Sequence, residues 1–227
     1  GKAEDFAEWI DGYHATNPQV SLGISEYGAE GIIQYHTNDP KVKDYTEEYH
    51  SLYHETVWNI FADRPFLWST YVWNMFDFGA NIRDEGGVKG RNNKGLMTYD
   101  RKIKKDAFYM YKANWSDEKF VHITSKRFVD RADEKIAIKV YSNCDDVTLV
   151  VNGVTYTAER NRVAFTFNDI VLVEGMNTVK AIGTSGGQTF EDTAHFNKVD
   201  EPNPSYLVPE SDAGGVVANW FDMPELD

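Results

Sequence analysis

The chain has 227 residues, of which 41% are hydrophobic and 14% aromatic, so it can bury a sizeable core in one or two domains. Its 36 acidic and 23 basic side chains give a net charge of -13, which argues against a surface for nucleic acid or anionic lipid. The single cysteine, Cys144, excludes an intramolecular disulfide, and no window reaches the roughly 18 apolar residues of a membrane span. We therefore expect neither nucleic acid nor a membrane among the partners.

The first predicted element is an amphipathic helix over residues 4–15, because apolar side chains recur there at helical spacing. The side chains expected on its inward face are Phe6, Trp9, Ile10 and Tyr13. Asn17-Pro18 ends the helix. The next run, residues 20–28, is short and aliphatic, which is typical of a buried parallel strand.

That strand ends in Glu26, Tyr27 and Gly28. In α/β architectures the carboxyl ends of the strands surround the active site, so Glu26 is a candidate catalytic group. A solvated loop carboxylate is the alternative for any glutamate at a strand end. Neighbouring strand residues point to opposite faces, which gives Tyr27 a packing or loop-anchoring role.

The rest of the first half continues the alternation of helix and strand. The spacing of apolar residues predicts a second helix over about residues 43–61, which Asp63-Arg64-Pro65 ends. A continuously apolar run over residues 66–76 predicts a second buried strand, and residues 81–95 form a glycine-rich polar loop. A third helix is expected over residues 104–115 with Phe108, Tyr111 and Trp115 inward. Since a complete (β/α)8 barrel takes about 250 residues, this order predicts only the last units of one, and hence a fragment.

From residue 120 the pattern changes to short alternating runs separated by turn signals, which predicts an antiparallel, immunoglobulin-like β-sandwich. The predicted strands are residues 121–124, 135–141, 147–151, 163–167 and 177–182. Asn152-Gly153 is a strong signal for a two-residue hairpin. The expected domains are thus a partial barrel over residues 1–116, a sandwich over 117–197, and an irregular tail over 198–227, which Trp220 and Phe221 would dock onto a domain.

Several ordered motifs of the first half resemble those of glycoside hydrolase family 2. They are Ser25-Glu26-Tyr27-Gly28, then residues 73–78, residues 92–96 with 99–102, and residues 105–115. The second half is similar to the immunoglobulin-like domains that follow the barrel in bacterial members. This resemblance implies a carbohydrate substrate, no cofactor, and export to the periplasm or out of the cell.

The resemblance makes Glu26 the nucleophile that forms a covalent glycosyl-enzyme. A retaining glycosidase needs a second carboxyl group about 5 to 5.5 Å away as acid/base. In this family that glutamate lies on an earlier barrel strand, so the upstream part of the same enzyme is an expected partner. The isolated chain should be inactive.

The resemblance also implies four substrate-binding residues. Trp73 matches a tryptophan whose ring stacks on a sugar, with a core tryptophan as the alternative. Asn74, like Asp77, either binds sugar hydroxyls or caps the loop. Asn92 and Lys94 match the Asn-x-Lys pair that recognises the sugar carboxylate in β-glucuronidases, although similar sequences in β-galactosidase-like members face a neutral hydroxyl. A solvated loop lysine is the plain alternative for Lys94.

The motifs around residues 99–115 resemble the galactosidase branch, so a β-galactosidase is the first expectation and a β-glucuronidase the second. A non-catalytic carbohydrate-binding or structural module is a third interpretation. His50 and His54 stand four apart without the glutamate of a metalloprotease or a third ligand. We interpret them as helix-surface or core histidines and expect no metal.

Overall fold

The computed structural model describes residues 3–209. The positions of Trp220 and Phe221, which were expected to dock the tail, lie outside that range. The described residues fall into two compact units. The first holds the chain up to Ile32 together with Pro40–Lys104, and the second holds Ile33–Asp39 together with Lys105–Tyr206. Within the described range, no helix is long and apolar enough to cross a bilayer.

The first unit contains the predicted helix–strand–helix–strand order. Its elements are α1 (Asp5–Thr16), β1 (Leu22–Tyr27), α2 (Glu47–Ala62) and β2 (Leu67–Val72). β1 and β2 pair in parallel, with Leu22 opposite Leu67 and Tyr27 opposite Val72. Parallel strands need a crossover, and α2 supplies it. Both predicted strands are therefore present, and their carboxyl ends meet at one edge.

The second helix begins later than the apolar pattern predicted. Thr46 caps α2, because its hydroxyl oxygen accepts a hydrogen bond from the Tyr49 N–H at 3.0 Å. Immediately upstream, Lys43 and Tyr45 have φ values of 67° and 58°, which a right-handed helix does not allow. The capping residue thus sets the helix start, and the tyrosine at 45 belongs to the preceding turn.

Burial in the first unit is lower than the sequence led us to expect. Of the predicted inward face of α1, only Ile10 is buried, while Trp9 is 55% exposed. The run that forms β2 was expected to be buried, yet Trp68 and Tyr71 are 65% and 55% exposed. β2 has one hydrogen-bonded neighbour among the described strands, β1, so one of its edges lacks a partner there.

The polar loop predicted over residues 81–95 is largely an antiparallel hairpin. Strand β3 (Phe78–Glu85) pairs with β4 (Val88–Asn92). The two residues between them, Gly86 and Gly87, have φ values of 61° and 74°, as a tight hairpin turn requires. The loop prediction was wrong. It rested on the polar composition of these residues, in which charged side chains outnumber apolar ones, and it overlooked the Gly-Gly pair as a turn signal.

The second unit consists of α3 (Asp106–Trp115) and two β-sheets, followed by a 3-10 turn at Pro204–Tyr206. Its strands in chain order are β5 (Val121–Ile123), β6 (Asp130–Arg131), β7 (Lys135–Ser142), β8 (Asp146–Val151), β9 (Val154–Thr157), β10 (Glu159–Asn161), β11 (Ala164–Val171), β12 (Gly175–Ser185) and β13 (Gln188–Lys198). One sheet has the order β10-β11-β7-β5 and the other β6-β13-β12-β8-β9. All five predicted strands are present, and Asn152-Gly153 forms the expected two-residue hairpin between β8 and β9.

The buried faces of both sheets form one hydrophobic core, to which β7 and β11 contribute from the first sheet and β8, β12 and β13 from the second. Its members alternate along each strand, because successive side chains point to opposite faces. Strand β13 was not predicted, because Ala194 and Phe196 are its only buried apolar residues and most of its other side chains are polar. The limits of the expected domains, 1–116, 117–197 and 198–227, stay predictions.

Helix α3 is joined to β5 within the second unit by a buried hydrogen bond between Asp106 and His122. The Asp106 carboxylate is 2.8 Å from His122 Nε2 and accepts the Ser125 N–H at 2.6 Å. The Tyr109 ring lies flat on the His122 ring at 3.6 Å. The expected inward position of Trp115 was wrong, since its side chain is 53% exposed at the last residue of the helix.

Residues 33–39 reach a cluster centred on the buried Arg131 of β6. The Asn38 side chain accepts a hydrogen bond from Arg131 Nη1 at 3.0 Å. The His36 ring stacks parallel to Phe128 at 5.5 Å, and Tyr206 meets both rings edge-on. This cluster fixes residues 33–39 to the second unit.

Candidate active site

Glu26 lies at the carboxyl end of β1, as predicted, and its side chain is exposed. The carboxylate makes no hydrogen bond or ion pair with the described part of the chain. Tyr27 has the packing role expected of it, because its ring is 3% exposed and meets Phe61 edge-on at 4.9 Å. The strand therefore buries the tyrosine and leaves the preceding carboxylate open to a ligand.

The segment after β2 is bonded directly to the end of β1. The Trp73 N–H donates to the Tyr27 carbonyl at 2.8 Å. A Cβ atom on Gly28 would lie 2.0 Å from the Trp73 carbonyl oxygen, so only glycine allows this approach. The Trp73 side chain is half-buried and packs edge-on against Phe78 at 5.8 Å.

Asn74 connects this segment to the one that carries Lys94. Its N–H donates to the Lys94 carbonyl at 3.3 Å, and its own carbonyl accepts the Leu96 N–H at 2.9 Å. The Asn74 side-chain oxygen is buried and has no hydrogen-bond partner among the described residues. A buried acceptor without a donor is uncommon in folded proteins.

Asp77 also joins the segment after β2 to the segment that carries Lys94. Its Oδ1 accepts the Gly95 N–H at 2.9 Å, and its side chain is 7% exposed. A Cβ atom at Gly95 would come within 2.1 Å of the Asp77 nitrogen. Of the two roles that the sequence left open for Asp77, the loop-fixing one agrees with these contacts.

Asn92 and Lys94 stand at the end of β4 and just beyond it. Asn92 is buried, and its side-chain oxygen accepts the Lys94 N–H at 3.0 Å, which forms a local turn. The Lys94 ammonium has no hydrogen bond or ion pair within residues 3–209. The turn thus presents a cation that is available to an anionic or hydroxylic ligand.

A buried charge network lies directly beside this turn. Glu30 Oε2 accepts the Asn93 N–H at 2.7 Å, and Arg83 Nη1 lies 2.9 Å from Glu30 Oε1 and 2.7 Å from Glu85 Oε1. Burial raises the pKa of the Glu30 carboxyl, with a smaller push from Glu85 in the same direction. The Asn93 N–H, Arg83 and Lys94 act on this pKa in the opposite direction.

A cavity of about 670 Å³ adjoins the turn. Gly28, Glu30 and Lys94 line one part of it, and the rings of Tyr45, Tyr49 and Tyr53 another. Burial raises the pKa of Tyr53 to about 12, against the effect of a hydrogen bond with the Gly28 backbone. The cavity wall therefore combines aromatic surface with two ammonium groups, those of Lys43 and Lys94, and with several carboxyl groups.

His50 and His54 pack together inside the first unit rather than on a helix surface. Both side chains are fully buried, with ring centroids 4.6 Å apart. Within residues 3–209, no cluster of three or more His, Cys, Asp or Glu side chains is placed to hold a metal ion.

The chain matches one protein family and is similar to several known proteins. A family described only as a domain of unknown function, DUF4982, matches residues 133–191. A β-glucuronidase of Bacteroides fragilis is 38% identical over 206 residues, which is 86% of this chain and 29% of that protein. The solved structure of an FMN-binding β-glucuronidase from Faecalibacterium prausnitzii L2-6 is 48% identical with a TM-score of 0.87, over 92% of this chain and 32% of that one. That of a putative β-galactosidase from Bacteroides fragilis is 34% identical with a TM-score of 0.84, over 89% of this chain and 32% of that one.

The chain is homologous to glycoside hydrolases of family 2. This confirms the resemblance carried by the motifs of the first half. The chain spans about a third of the length of these family 2 relatives.

Against this family background, the five predicted site residues lie on three segments that backbone hydrogen bonds join together. These residues are Glu26, Trp73, Asn74, Asn92 and Lys94, and their roles stay predictions. The sequence reading missed the network of Glu30 and Arg83. No local pattern marks this network, because Glu30 lies 53 residues from Arg83 and 63 from Asn93 in sequence.

Proposed function

We propose that the longer enzyme to which this chain belongs is a retaining β-glucuronidase with Glu26 as its nucleophile. The observation that carries the proposal is the hydrogen-bonded assembly that joins the end of β1 to the turn of Asn92 and Lys94. It places an unpaired carboxylate and an unpaired ammonium on segments tied to each other. An enzyme that hydrolyses the glycoside of a uronic acid needs one group of each kind. The carboxylate attacks the anomeric carbon, and the ammonium binds the sugar carboxylate.

In this mechanism the Glu26 carboxylate attacks the anomeric carbon while a second carboxyl group protonates the leaving oxygen. Water then releases the sugar from Glu26, with that second group acting as base. The exposed side chain of Glu26 leaves it open to the sugar. The second carboxyl group is assigned to another part of the longer enzyme, which also supplies the remaining barrel strands.

Recognition of the sugar is assigned to the neighbouring segments. The Lys94 ammonium pairs with the sugar carboxylate in a charge-assisted contact, beside the Asn92 side chain. The unpaired oxygen of Asn74 accepts a sugar hydroxyl. The half-buried Trp73 ring offers its face to the apolar side of the sugar ring.

Each of the two units corresponds to a domain of such an enzyme. The parallel pair of β1 and β2 with its helices is the last part of a (β/α)8 barrel, whose active site lies at the carboxyl ends of the strands. The two sheets that share one core are an immunoglobulin-like sandwich. No catalytic role is assigned to the sandwich.

A β-galactoside is the second candidate substrate. The motifs over residues 99–115 favoured it, and one similar structure is named a putative β-galactosidase. We rank the β-glucuronide first, because the Bacteroides fragilis relative that is 38% identical and the Faecalibacterium protein that is 48% identical are both called β-glucuronidases. A non-catalytic module is disfavoured, since the relatives are glycoside hydrolases.

The test compares turnover of an aryl β-glucuronide and an aryl β-galactoside by the longer enzyme. We expect the glucuronide to be preferred. Glu26→Gln keeps the side-chain shape but removes the charge, so turnover should fall by several orders of magnitude. A mechanism-based fluorosugar should label Glu26, and labelling of another residue would overturn the assignment. A clear preference for the galactoside would replace the substrate and leave Glu26 in place.

A further inference from the structure

Glu30 contacts the turn of Asn92 and Lys94 although it follows Glu26 by only four residues. Its carboxylate accepts the Asn93 N–H at 2.7 Å, and the adjacent Gly31 N–H donates to the Asn93 carbonyl at 3.0 Å. Both backbone polar groups of Asn93 are therefore held by the loop that leaves β1. The strand that carries Glu26 and the turn that carries Lys94 are thereby locked together.

Arg83 holds the Glu30 carboxyl group in place. Glu30 and Asn93 are 8% and 4% exposed, and a buried carboxylate is costly without a cation and hydrogen bonds. Arg83 supplies the cation, and it is also bonded to Glu85 on its own strand, β3. The guanidinium is thus fixed to the hairpin by Glu85 and reaches the first loop through Glu30.

The Lys94 ammonium has no hydrogen bond or ion pair of its own within the described range. Its position depends on the backbone from which its flexible side chain extends. That backbone is held on one side by Asn74 and by Asp77, which accepts the Gly95 N–H, and on the other by Glu30 through Asn93. Asp77 and Glu30 each accept a backbone N–H on a carboxyl oxygen, and the bond to Glu30 is the shorter, at 2.7 Å against 2.9 Å.

We propose that Glu30 is a positioning residue that sets the place of the Lys94 ammonium relative to the Glu26 carboxylate. The inference rests on the proposed function, because it takes Lys94 as a sugar ligand and Glu26 as the nucleophile. In this role Glu30 acts by fixing the distance between the Lys94 ammonium and the Glu26 carboxylate.

The test is a double-mutant cycle in the longer enzyme with Glu30→Ala, Lys94→Ala and both changes together. Misplacing a binding group by about 1 Å costs up to about 100-fold in rate, so we expect Glu30→Ala to lower kcat/KM about 10- to 100-fold. If Glu30 acts through Lys94, the double variant should lose little more than Lys94→Ala alone. Losses that multiply would overturn the proposal, as would unchanged kcat/KM in Glu30→Ala.

Three further variants separate positioning from general stability. Glu30→Asp retains the charge and should recover part of the loss, whereas Glu30→Gln should recover less and serves if Glu30→Ala does not fold. Asp106→Asn breaks a buried contact in the other unit, and the kcat/KM of its folded form should stay within about threefold of wild type. An equal loss in Asp106→Asn would overturn the positioning role, because lost stability alone would then lower the rate.

The cycle is run with whichever β-glycoside the longer enzyme hydrolyses best. If Glu26→Gln remains active, the proposed function fails, but the coupling between Glu30 and Lys94 is still measured. If Glu26→Gln is inactive and the coupling is absent, only the positioning role fails.

Discussion

Lys94 is the residue on which the choice of sugar depends. In a glucuronidase, Lys94→Ala leaves the sugar carboxylate desolvated without a cation, which should cost about 2 to 5 kcal/mol of transition-state binding. With a galactoside the lost contact is a hydrogen bond to a neutral group, and the cost should be about 1 to 3 kcal/mol. The values of kcat/KM for both aryl glycosides measure the difference.

Lys43 provides the matched control, because it lines the same cavity and also lacks a hydrogen bond or ion pair in the described region. Lys43→Ala should change kcat/KM by less than about threefold. Equal losses in the two variants would show that the cavity responds to its total charge rather than to one ammonium group.

Asn177, near the start of β12, is a second residue with a sharply defined task, because its side chain holds the turn that joins β11 to β12. Its fully buried amide accepts the Val173 N–H at 2.8 Å and donates to the carbonyls of Val173 and Gly175 at 2.7 and 2.8 Å. Asn177→Ala leaves these groups unsatisfied and should lower the free energy of unfolding by at least about 2 kcal/mol. Urea denaturation measures this, and the exposed Thr178→Ala should change it by less than about 0.5 kcal/mol.

The role of a single residue was predictable where the residues next to it in sequence specified it. The position of Glu26 at a strand end and the packing of Tyr27 followed from one apolar run and its alternation. Glu30 was not predictable, because its partners Arg83 and Asn93 are distant in sequence and nothing local marks them. The buried acceptor of Asn74 likewise appears only when three segments are brought together.

At the scale of elements, the link between α3 and β5 should make stability depend on pH. Although burial opposes ionisation, the hydrogen bond and charge of His122, with Arg127 and the Ser125 N–H, hold the pKa of Asp106 below its usual value. A lowered carboxyl pKa contributes stability that is present above the unfolded-state value of about 3.9 and is lost as the pH falls through the lower folded-state value.

Asp106→Asn removes the charge and should lower the free energy of unfolding at pH 7 by about 1.5 to 3 kcal/mol. The difference from wild type should shrink as the pH falls below about 4, because the carboxyl of the unfolded chain then takes up a proton first and that of the folded chain follows at a lower pH. Denaturation curves over a pH series give the result. Asp169→Asn, which disrupts an exposed pair with Lys135, should stay within about 1 kcal/mol at every pH. A difference for Asp106→Asn that does not vary with pH would contradict the role of its charge.

The elements themselves were predictable to different degrees. Helix and strand order in the first unit followed from apolar periodicity, and the β8–β9 hairpin from Asn152-Gly153. Strands β3, β4 and β13 were missed, because their side chains are mainly polar and their pairing depends on partners that a local window does not contain. The late start of α2 reflects a cap at Thr46, which apolar spacing does not report.

At the scale of the whole molecule, the exposed aromatic rings of β2 predict association. Trp68 and Tyr71 lie on a strand with one described neighbour, and such edges recruit further strands. The isolated chain should therefore form oligomers at about 50 µM, a concentration range in which exposed strand edges aggregate. Light scattering at several concentrations measures the mass.

The double change Trp68→Thr with Tyr71→Thr keeps the preference for a strand but removes the rings, and it should reduce association. Val171→Thr is the control, since Val171 is 52% exposed in a different unit. A wild-type chain that stays monomeric and melts cooperatively without another polypeptide would argue against the partial barrel.

The cluster around Arg131 affects how this protein could be recombined. Because Ile33–Asp39 belongs to the second unit while the chain on both sides of it belongs to the first, no single crossover point in the gene separates the two units. An exchange of the C-terminal half with that of a relative would bring in a foreign Arg131 counterpart to face a native His36 and Asn38. Functional chimaeras should therefore inherit this short stretch from the same parent as the sheets that hold it.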